Sequence, residues 1–241
     1  MKASVYSKYG LPSVLQIKEV AKPTPKENEV LVKVYATTVN RTDTAFRKPD
    51  HFINRLVNGL FTPKKQVLGS EFSGEVESIG AQVKTFIVGD QVFGINTMAF
   101  GAHAEYVCVS ENKSIAIKPS NMSYKEAAAV CEGFIYANNY LRCINFNDSP
   151  TILINGATGS IGTAALQLAK YYGAKHITAT CNTKNLELIK SLGADEVIDF
   201  TEKDFTQLSK QYDVILDAVG KSTFFKCKKV LKKGGVYFSS E

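Results

Sequence analysis

The sequence predicts an α/β protein in two parts, a partly closed β-barrel followed by a doubly wound parallel sheet. Three observations carry this. Residues 151–181 read strand, glycine turn, helix, strand. All seven prolines fall at or before Pro150, and the front of the chain shows period-two alternation broken by turns. Past Pro119 the texture changes to strands alternating with helices, which is the pattern of a parallel sheet covered by helices.

The front elements come first. Residues 29–39 (EVLVKVYATTV) alternate apolar and polar side chains, and residues 72–79 and 102–109 look similar. Such alternation predicts half-buried strands. Gly10, Gly74, Gly80, Gly89, Gly94 and Gly101 supply the bends between them. Residues 48–65 are irregular and carry His51, Phe52, Leu56, Leu60 and Phe61. They read as a short helix packed on the barrel, or as a lid that shapes a substrate pocket.

In the second part strands are predicted at Thr151–Asn155, His176–Cys181, Glu196–Asp199, 213–217 and 235–239. A helix over 163–172 has Ala165, Leu168, Ala169 and Tyr172 on its inner face. The boundary is placed near residues 118–120, giving a barrel over 1–118 and a sheet domain over 119–241. Ligands of doubly wound sheets bind at the carboxyl ends of the strands. The expected site is therefore the cleft between the two parts.

Composition narrows the class. The 241 residues are 44% hydrophobic and 22% charged, which is ordinary globular usage. The net charge is +6, but the lysines are spread along the chain. The densest group, Lys226, Lys228, Lys229, Lys232 and Lys233, is interleaved with Cys227, Val230 and Leu231, as on a solvated helix face. No nucleic-acid partner is expected. No apolar run approaches membrane-spanning length, and residues 1–10 carry no signal-peptide pattern. The five cysteines include no CxxC pair, so free thiols in a reducing cytoplasm are expected.

The glycine turn carries the chemistry. It runs from Gly156 through Ala157, Thr158, Gly159, Ser160 and Ile161 to Gly162. Small residues let the backbone approach a pyrophosphate and let the helix pack on its strand. The helix N-terminus then offers free N–H groups to the anion. Ala157 stands where the strict G-x-G-x-x-G pattern has its first glycine, but the strand before and the helix after supply the context that gives the pattern meaning. This is the phosphate turn of a Rossmann dinucleotide fold. At the tip of the next strand an acid would hold the ribose 2′-hydroxyl of NAD. The tip here holds Asn182, Thr183 and Lys184 instead, two polar donors and one cation that suit a 2′-phosphate. The expected cofactor is NADP(H).

Nine stretches carry a family resemblance: YATTVNRTD, LGSEFSGEVESIG, VGDQVFG, GAHAEYVCV, YKEAAAV, INGATGSIGTAALQLAK, SLGADEVIDF, DVILDAVG and LKKGGVYF. In this order they cover nearly the whole chain, which resembles the medium-chain dehydrogenase/reductase superfamily in its zinc-independent, zeta-crystallin-like NADPH:quinone oxidoreductase branch. The resemblance implies a chaperonin-10-like (GroES-like) barrel and a Rossmann domain. It also implies NADPH-dependent reduction of quinones or α,β-unsaturated carbonyls by a homodimer. It places Asn40 at the nicotinamide end of the cofactor, Thr42 where zinc relatives relay protons, and Phe200 and Val219 beside the cofactor. Related zinc enzymes hold their metal with Cys, His and Cys at positions that here resemble Asn40, Ser70 and Cys131. Catalytic zinc needs three protein ligands and an open position, so no metal is expected. Ile135 replaces a cofactor-contacting threonine of relatives, and Ala45 replaces an aromatic that quinone reductases often present to substrate.

Reduction of a conjugated carbonyl needs orientation of the reactants and donors where negative charge develops. Asn40 and Thr42 are the candidate catalytic residues. Two other readings stay open: a non-catalytic NADPH-binding protein acting as sensor, structural or RNA-binding component, and a zinc-type alcohol dehydrogenase. The family pattern continues beyond Glu241, so a C-terminally truncated domain is expected, with activity at this length open.

Overall fold

Alternation in the front of the chain becomes antiparallel sheet. The computed structural model describes residues 1–49, 55–56, 58–97 and 99–240. His51 and Phe52 of the suspected lid lie outside the described residues. By contact the chain divides into two compact units, Met1–Cys131 and Glu132–Glu241.

In the first unit β1 (Lys2–Val5) pairs antiparallel with β2 (Gln16–Glu19). Then come β3 (Glu29–Thr37), helix α1 (Arg41–Arg47), β4 (Glu71–Ile79), β5 (Gln91–Ile95), β6 (Tyr106–Ser110) and β7 (Ser114–Ile117). Five of these strands form one antiparallel sheet in the order β6-β3-β4-β5-β7. Its inner face buries Val30, Val32, Phe72, Val76, Val92, Val107 and Val109. These are the positions that the alternation assigns to one side. Two register irregularities between β3 and β4 add to the bend of the sheet.

Two expectations change here. Residues 102–105 are not part of β6, because their backbone turns to other partners: the N–H of Ala102 donates to Gly69 O, and that of His103 to Leu68 O. Helix α1, which follows β3, is not among the elements the sequence predicts; Asn40 is its N-cap and Thr42 lies inside it. Helix α2 (Tyr124–Ala129) packs on β3, β4 and β5 of this unit, with Tyr35 and Tyr124 ring centroids 4.8 Å apart.

After α3 (Cys131–Leu141) the second unit alternates β8 (Thr151–Asn155), α4 (Ser160–Tyr172), β9 (His176–Cys181), α5 (Leu186–Ser191), β10 (Glu196–Asp199), β11 (Tyr212–Asp217), α6 (Phe224–Cys227) and β12 (Leu231–Ser239). The strands are parallel in the order β10-β9-β8-β11-β12. The chain thus builds outward from β8 to β10, then restarts on the other side at β11. This is the doubly wound Rossmann arrangement with its switch point beside β8. Helix α4 starts three residues before the expected span, and β12 four residues before.

Strand β8 is apolar on both faces. Ile152 and Ile154 enter one core with Leu166, Ala169 and Ile177, while Leu153 enters the other with Phe205, Tyr212 and Ile215. Each such side chain contributes about 1.5–3 kcal/mol by burial. Two-sided burial does not select a register, since a one-residue slip exchanges one apolar face for another. Polar pairs at the two ends do select it. At the amino end the Thr151 N–H and hydroxyl donate to Asp213 at 2.8 and 2.7 Å. At the carboxyl end the Asn155 amide donates to Asp217 at 2.9 Å.

Candidate functional site

The phosphate turn is shaped by two close approaches. Gly156 has φ +81°, and a Cβ there would stand 2.4 Å from a Val219 methyl. A Cβ on Gly162 would stand 2.3 Å from Gly156 O, so the first turn of α4 lies directly on the turn backbone. Ala157 is fully buried in the core of this face, where its methyl is part of the filling. Its N–H donates to Thr180 O at 3.0 Å. That packing role accounts for an alanine at the position of the first glycine.

Gly159 is the N-cap of α4, and no side chain caps the helix. Thr158, Gly159 and Ser160 are exposed and Ile161 is half-buried. The start of a 13-residue helix therefore faces outward with its first N–H groups unclaimed by a capping side chain. That is the donor set and field an anionic phosphate takes.

At the tip of β9, Asn182 opens a short 3-10 turn, and its side-chain oxygen accepts from Asn185 at 2.5 Å. Thr183 and Lys184 are exposed, and the Thr183 hydroxyl lies 3.3 Å from that of Thr201. One residue here escaped sequence reasoning. Asp199, at the end of β10, stands beside Thr183. Hydrogen bonds from the Thr183 and Thr201 hydroxyls and the Thr201 N–H hold its carboxyl below the usual carboxylate range. This acid comes from the neighbouring parallel strand and not from the tip of β9. Phe200 is exposed and its N–H donates to Cys181 O at 3.0 Å, which puts the residue at the same sheet end. Val219 packs on Gly156.

In the first unit a second polar cluster forms around Asn40. Its side-chain oxygen accepts from the Asp43 N–H at 3.0 Å, while the Asp43 carboxylate accepts from the Asn40 N–H at 3.1 Å. This is a reciprocal capping box. Both amide hydrogens of Asn40 point inward, to Ser70 Oγ at 2.8 Å and to Glu71 Oε2 at 3.2 Å. Glu71 is 3% exposed and also accepts from the Thr38 hydroxyl. Asp43 is buried too, accepting from the Gly69 N–H at 2.9 Å. His103 Nε2 lies 2.8 Å from the Thr38 carbonyl, so that nitrogen carries the hydrogen. It is also 3.7 Å from Asp43. Thr42 is half-buried in the first turn of α1.

Asn40 and Ser70, which the resemblance aligned with metal ligands, are thus bonded to each other. Cys131 is buried, and its thiol donates to Ala127 O at 3.3 Å. Burial, and secondly the charge of Glu71, push this thiol up to about 12. Of these three positions, Cys131 alone carries a side chain of the usual zinc-ligand type. Among the described residues no group of three or more His, Cys, Asp or Glu side chains could hold a metal ion. Among them also, no helix is long and apolar enough to cross a membrane.

Comparison with known proteins identifies the family. Residues 26–119 match the alcohol dehydrogenase GroES-like domain, and residues 160–239 match the zinc-binding dehydrogenase family. The chain is 40% identical to 2-methylene-furan-3-one reductase of Solanum lycopersicum, over 98% of this chain and 61% of the relative. It is 37% identical to the chloroplastic NADPH-dependent alkenal/one oxidoreductase of Arabidopsis thaliana, again over 98% and 61%. The chain therefore spans about three fifths of the length of these curated relatives. Among solved structures, the quinone oxidoreductase from Coxiella burnetii superposes with a TM-score of 0.87 at 31% identity, covering 99% of this chain and 75% of that one.

Proposed function

The chain belongs to the medium-chain dehydrogenase/reductase superfamily, in its quinone and enone oxidoreductase branch, and on that premise we propose that it is an NADPH-dependent reductase of quinones or α,β-unsaturated carbonyls. The observation that carries the reading is the bare, uncapped start of α4 beside Gly156 and Gly162. NADPH, when bound, supplies the hydride. The chain's own residues do the rest. The α4 N–H groups hold the pyrophosphate, Thr183 and Lys184 hold the 2′-phosphate, and Val219 and Phe200 flank the nucleotide. Both Arabidopsis and tomato relatives carry reductase or oxidoreductase names, the former with NADPH in it.

At the reacting end the reading assigns Asn40 and Thr42. Asn40 has no amide hydrogen left to offer, so it acts by fixing Ser70, Glu71 and the start of α1. Thr42 is assigned the hydroxyl contact with the substrate oxygen or the cofactor ribose. The activity is read as zinc-independent, because two of the three positions that would ligate the metal, Asn40 and Ser70, are an amide and a hydroxyl bonded to each other. Conjugated acceptors suit such a site, since charge spreads onto a remote oxygen that water can protonate.

The test is oxidation of NADPH by this chain with a panel of quinones and enones, with calorimetry for NADPH and NADH alongside. Acceptor-dependent oxidation with preference for NADPH is expected. NADPH binding without turnover of any acceptor would overturn the reductase assignment and leave a dinucleotide-binding protein. Activity that tracks stoichiometric zinc would overturn the metal-free reading.

A further inference from the structure

Three polar side chains lie in register across adjacent parallel strands at the carboxyl end of the sheet. They are Thr180 on β9, Asn155 on β8 and Asp217 on β11, and Asp217 pairs directly with Asn155 in the β11–β8 register. All three are buried; Thr180 and Asp217 are fully so. The bonds run in one direction. The Gly156 N–H donates to Thr180 Oγ1 at 3.0 Å, and that hydroxyl donates to Asn155 Oδ1 at 2.7 Å. The Asn155 amide then donates to Asp217 Oδ1 at 2.9 Å.

Asp217 collects the other end. It accepts from the Ser222 N–H at 2.6 Å, from the Val219 N–H at 3.4 Å and from the Tyr237 hydroxyl at 3.4 Å. Burial, and then the charge of Asp217, push the Tyr237 hydroxyl up to about 12, so it stays a donor. Every partner of this carboxylate is a donor, an arrangement that a carboxylate satisfies and an amide does not. One chain of bonds therefore ties the phosphate turn at Gly156 to the loop that begins at Val219, and Val219 is the residue that a Cβ on Gly156 would strike.

We propose that Thr180, Asn155 and Asp217 are positioning residues for the dinucleotide, holding the phosphate turn and the Val219 loop in one fixed relation. The proposal rests on the NADPH reading above. It assigns to buried strand-end residues a role that the glycines of the turn cannot fill alone. A glycine turn is free to take many conformations, and binding to a pre-set turn avoids the cost of ordering it. Because the network acts on the pyrophosphate end, its loss weakens NADPH and NADH alike. Loss of Lys184 acts on NADPH only.

The test compares Thr180→Val, which keeps shape but removes the acceptor for Gly156, with Thr180→Ser, which keeps the hydroxyl. NADPH and NADH affinities are measured by calorimetry, and exchange of the Gly156 and Ser222 amides is followed by NMR without nucleotide. An unsatisfied buried donor predicts about tenfold weaker binding of both nucleotides in Thr180→Val, an unchanged ratio between them, and rescue to within about twofold in Thr180→Ser. Gly156 exchange should accelerate in the valine variant alone. If Thr180→Val fails to fold, Asp217→Asn, of equal size, is expected to give the same joint loss with faster Ser222 exchange. Wild-type affinity and wild-type Gly156 exchange in a folded Thr180→Val protein would overturn the proposal and leave the cofactor reading intact. Absence of nucleotide binding by the wild-type chain would overturn the cofactor reading and this role with it; normal Gly156 exchange in Thr180→Val would then refute the network even as a brace for the turn.

Discussion

The Thr183 hydroxyl stands beside the Asp199 carboxylate and helps hold it below the usual carboxylate range. The proposed ribose end of the nucleotide site, which carries a cation at Lys184, therefore also carries an acid from the next strand. Lys184 favours a 2′-phosphate, and Asp199 opposes one. Asp199→Asn should strengthen NADPH binding relative to NADH, and Lys184→Ala should weaken it. Each effect should be about two- to fivefold, the scale of exposed charge pairs, and should shrink as salt rises. Calorimetric titration of both nucleotides at two ionic strengths checks this.

Gly156 and Gly159 should respond differently to a methyl group. Gly156→Ala forces an alanine into left-handed backbone, at about 1–2 kcal/mol, and drives its Cβ to 2.4 Å from Val219. Loss of both stability and binding is expected. Gly159 has φ −77°, and the nearest atom to an added Cβ is 3.7 Å away. Gly159→Ala should therefore unfold within about 0.5 kcal/mol of wild type yet bind nucleotide more weakly, because the methyl covers the start of α4. Denaturant midpoints paired with binding constants separate the two cases.

Asn40→Asp should be worse than Asn40→Ala. Both remove the donor to buried Glu71. Alanine also removes the helix cap, at about 1 kcal/mol. Aspartate keeps the cap but sets a second carboxylate where the amide stood 3.2 Å from Glu71. Its cost at neutral pH should be on the order of 2–3 kcal/mol, from a lost donor and a gained like charge. The gap between the two variants should close as pH falls and one carboxyl takes up a proton. Urea midpoints at pH 7 and pH 5 measure it.

Asp213 should govern part of the acid limb of stability. Burial opposes its ionisation. Lys232 and the Thr151 N–H and hydroxyl outweigh that, leaving the carboxyl at about 2 rather than 3.8. A depressed native value stabilises the fold above the unfolded value, and that contribution is lost as pH falls through the native one. Asp213→Asn should thus lower the Tm at neutral pH. The difference from wild type should narrow between pH 4 and about 2 and vanish below. A Tm series from pH 2 to 7 tests the sign. The side chain is 39% exposed, so solvent screening keeps the effect small.

Much of the second unit was legible because its strands are buried on both faces. The runs at Thr151–Asn155, His176–Cys181 and Glu196–Asp199 read as strands with the observed ends. Residues 102–105 misled because Ala102 and Ala104 flank His103 with the same alternation that a strand shows, while the backbone there bonds to Leu68 and Gly69. The helix at Asn40 was hidden by its short capping partner. An aspartate three residues on serves where glutamate or glutamine is the usual sign. Asp199 and Asp217 could not be assigned from the chain alone, since Asp199 meets Thr183 from a neighbouring strand and Asp217 meets Asn155 from 62 residues away. The Asn40 to Ser70 bond likewise spans 30 residues.

The raised thiols have a chemical consequence for a protein proposed to handle conjugated carbonyls. Such compounds are soft electrophiles that add to thiolates and spare neutral thiols. Burial pushes Cys131 up to about 12 and Cys108 up to about 11, and it raises Cys181 and Cys227 as well. Four of the five sulfurs are thereby protected from alkylation by the substrate class itself. Cys143, exposed on the surface, is the one left open to it. Incubated with an excess of enone, the folded chain should gain a single adduct, and the unfolded chain up to five.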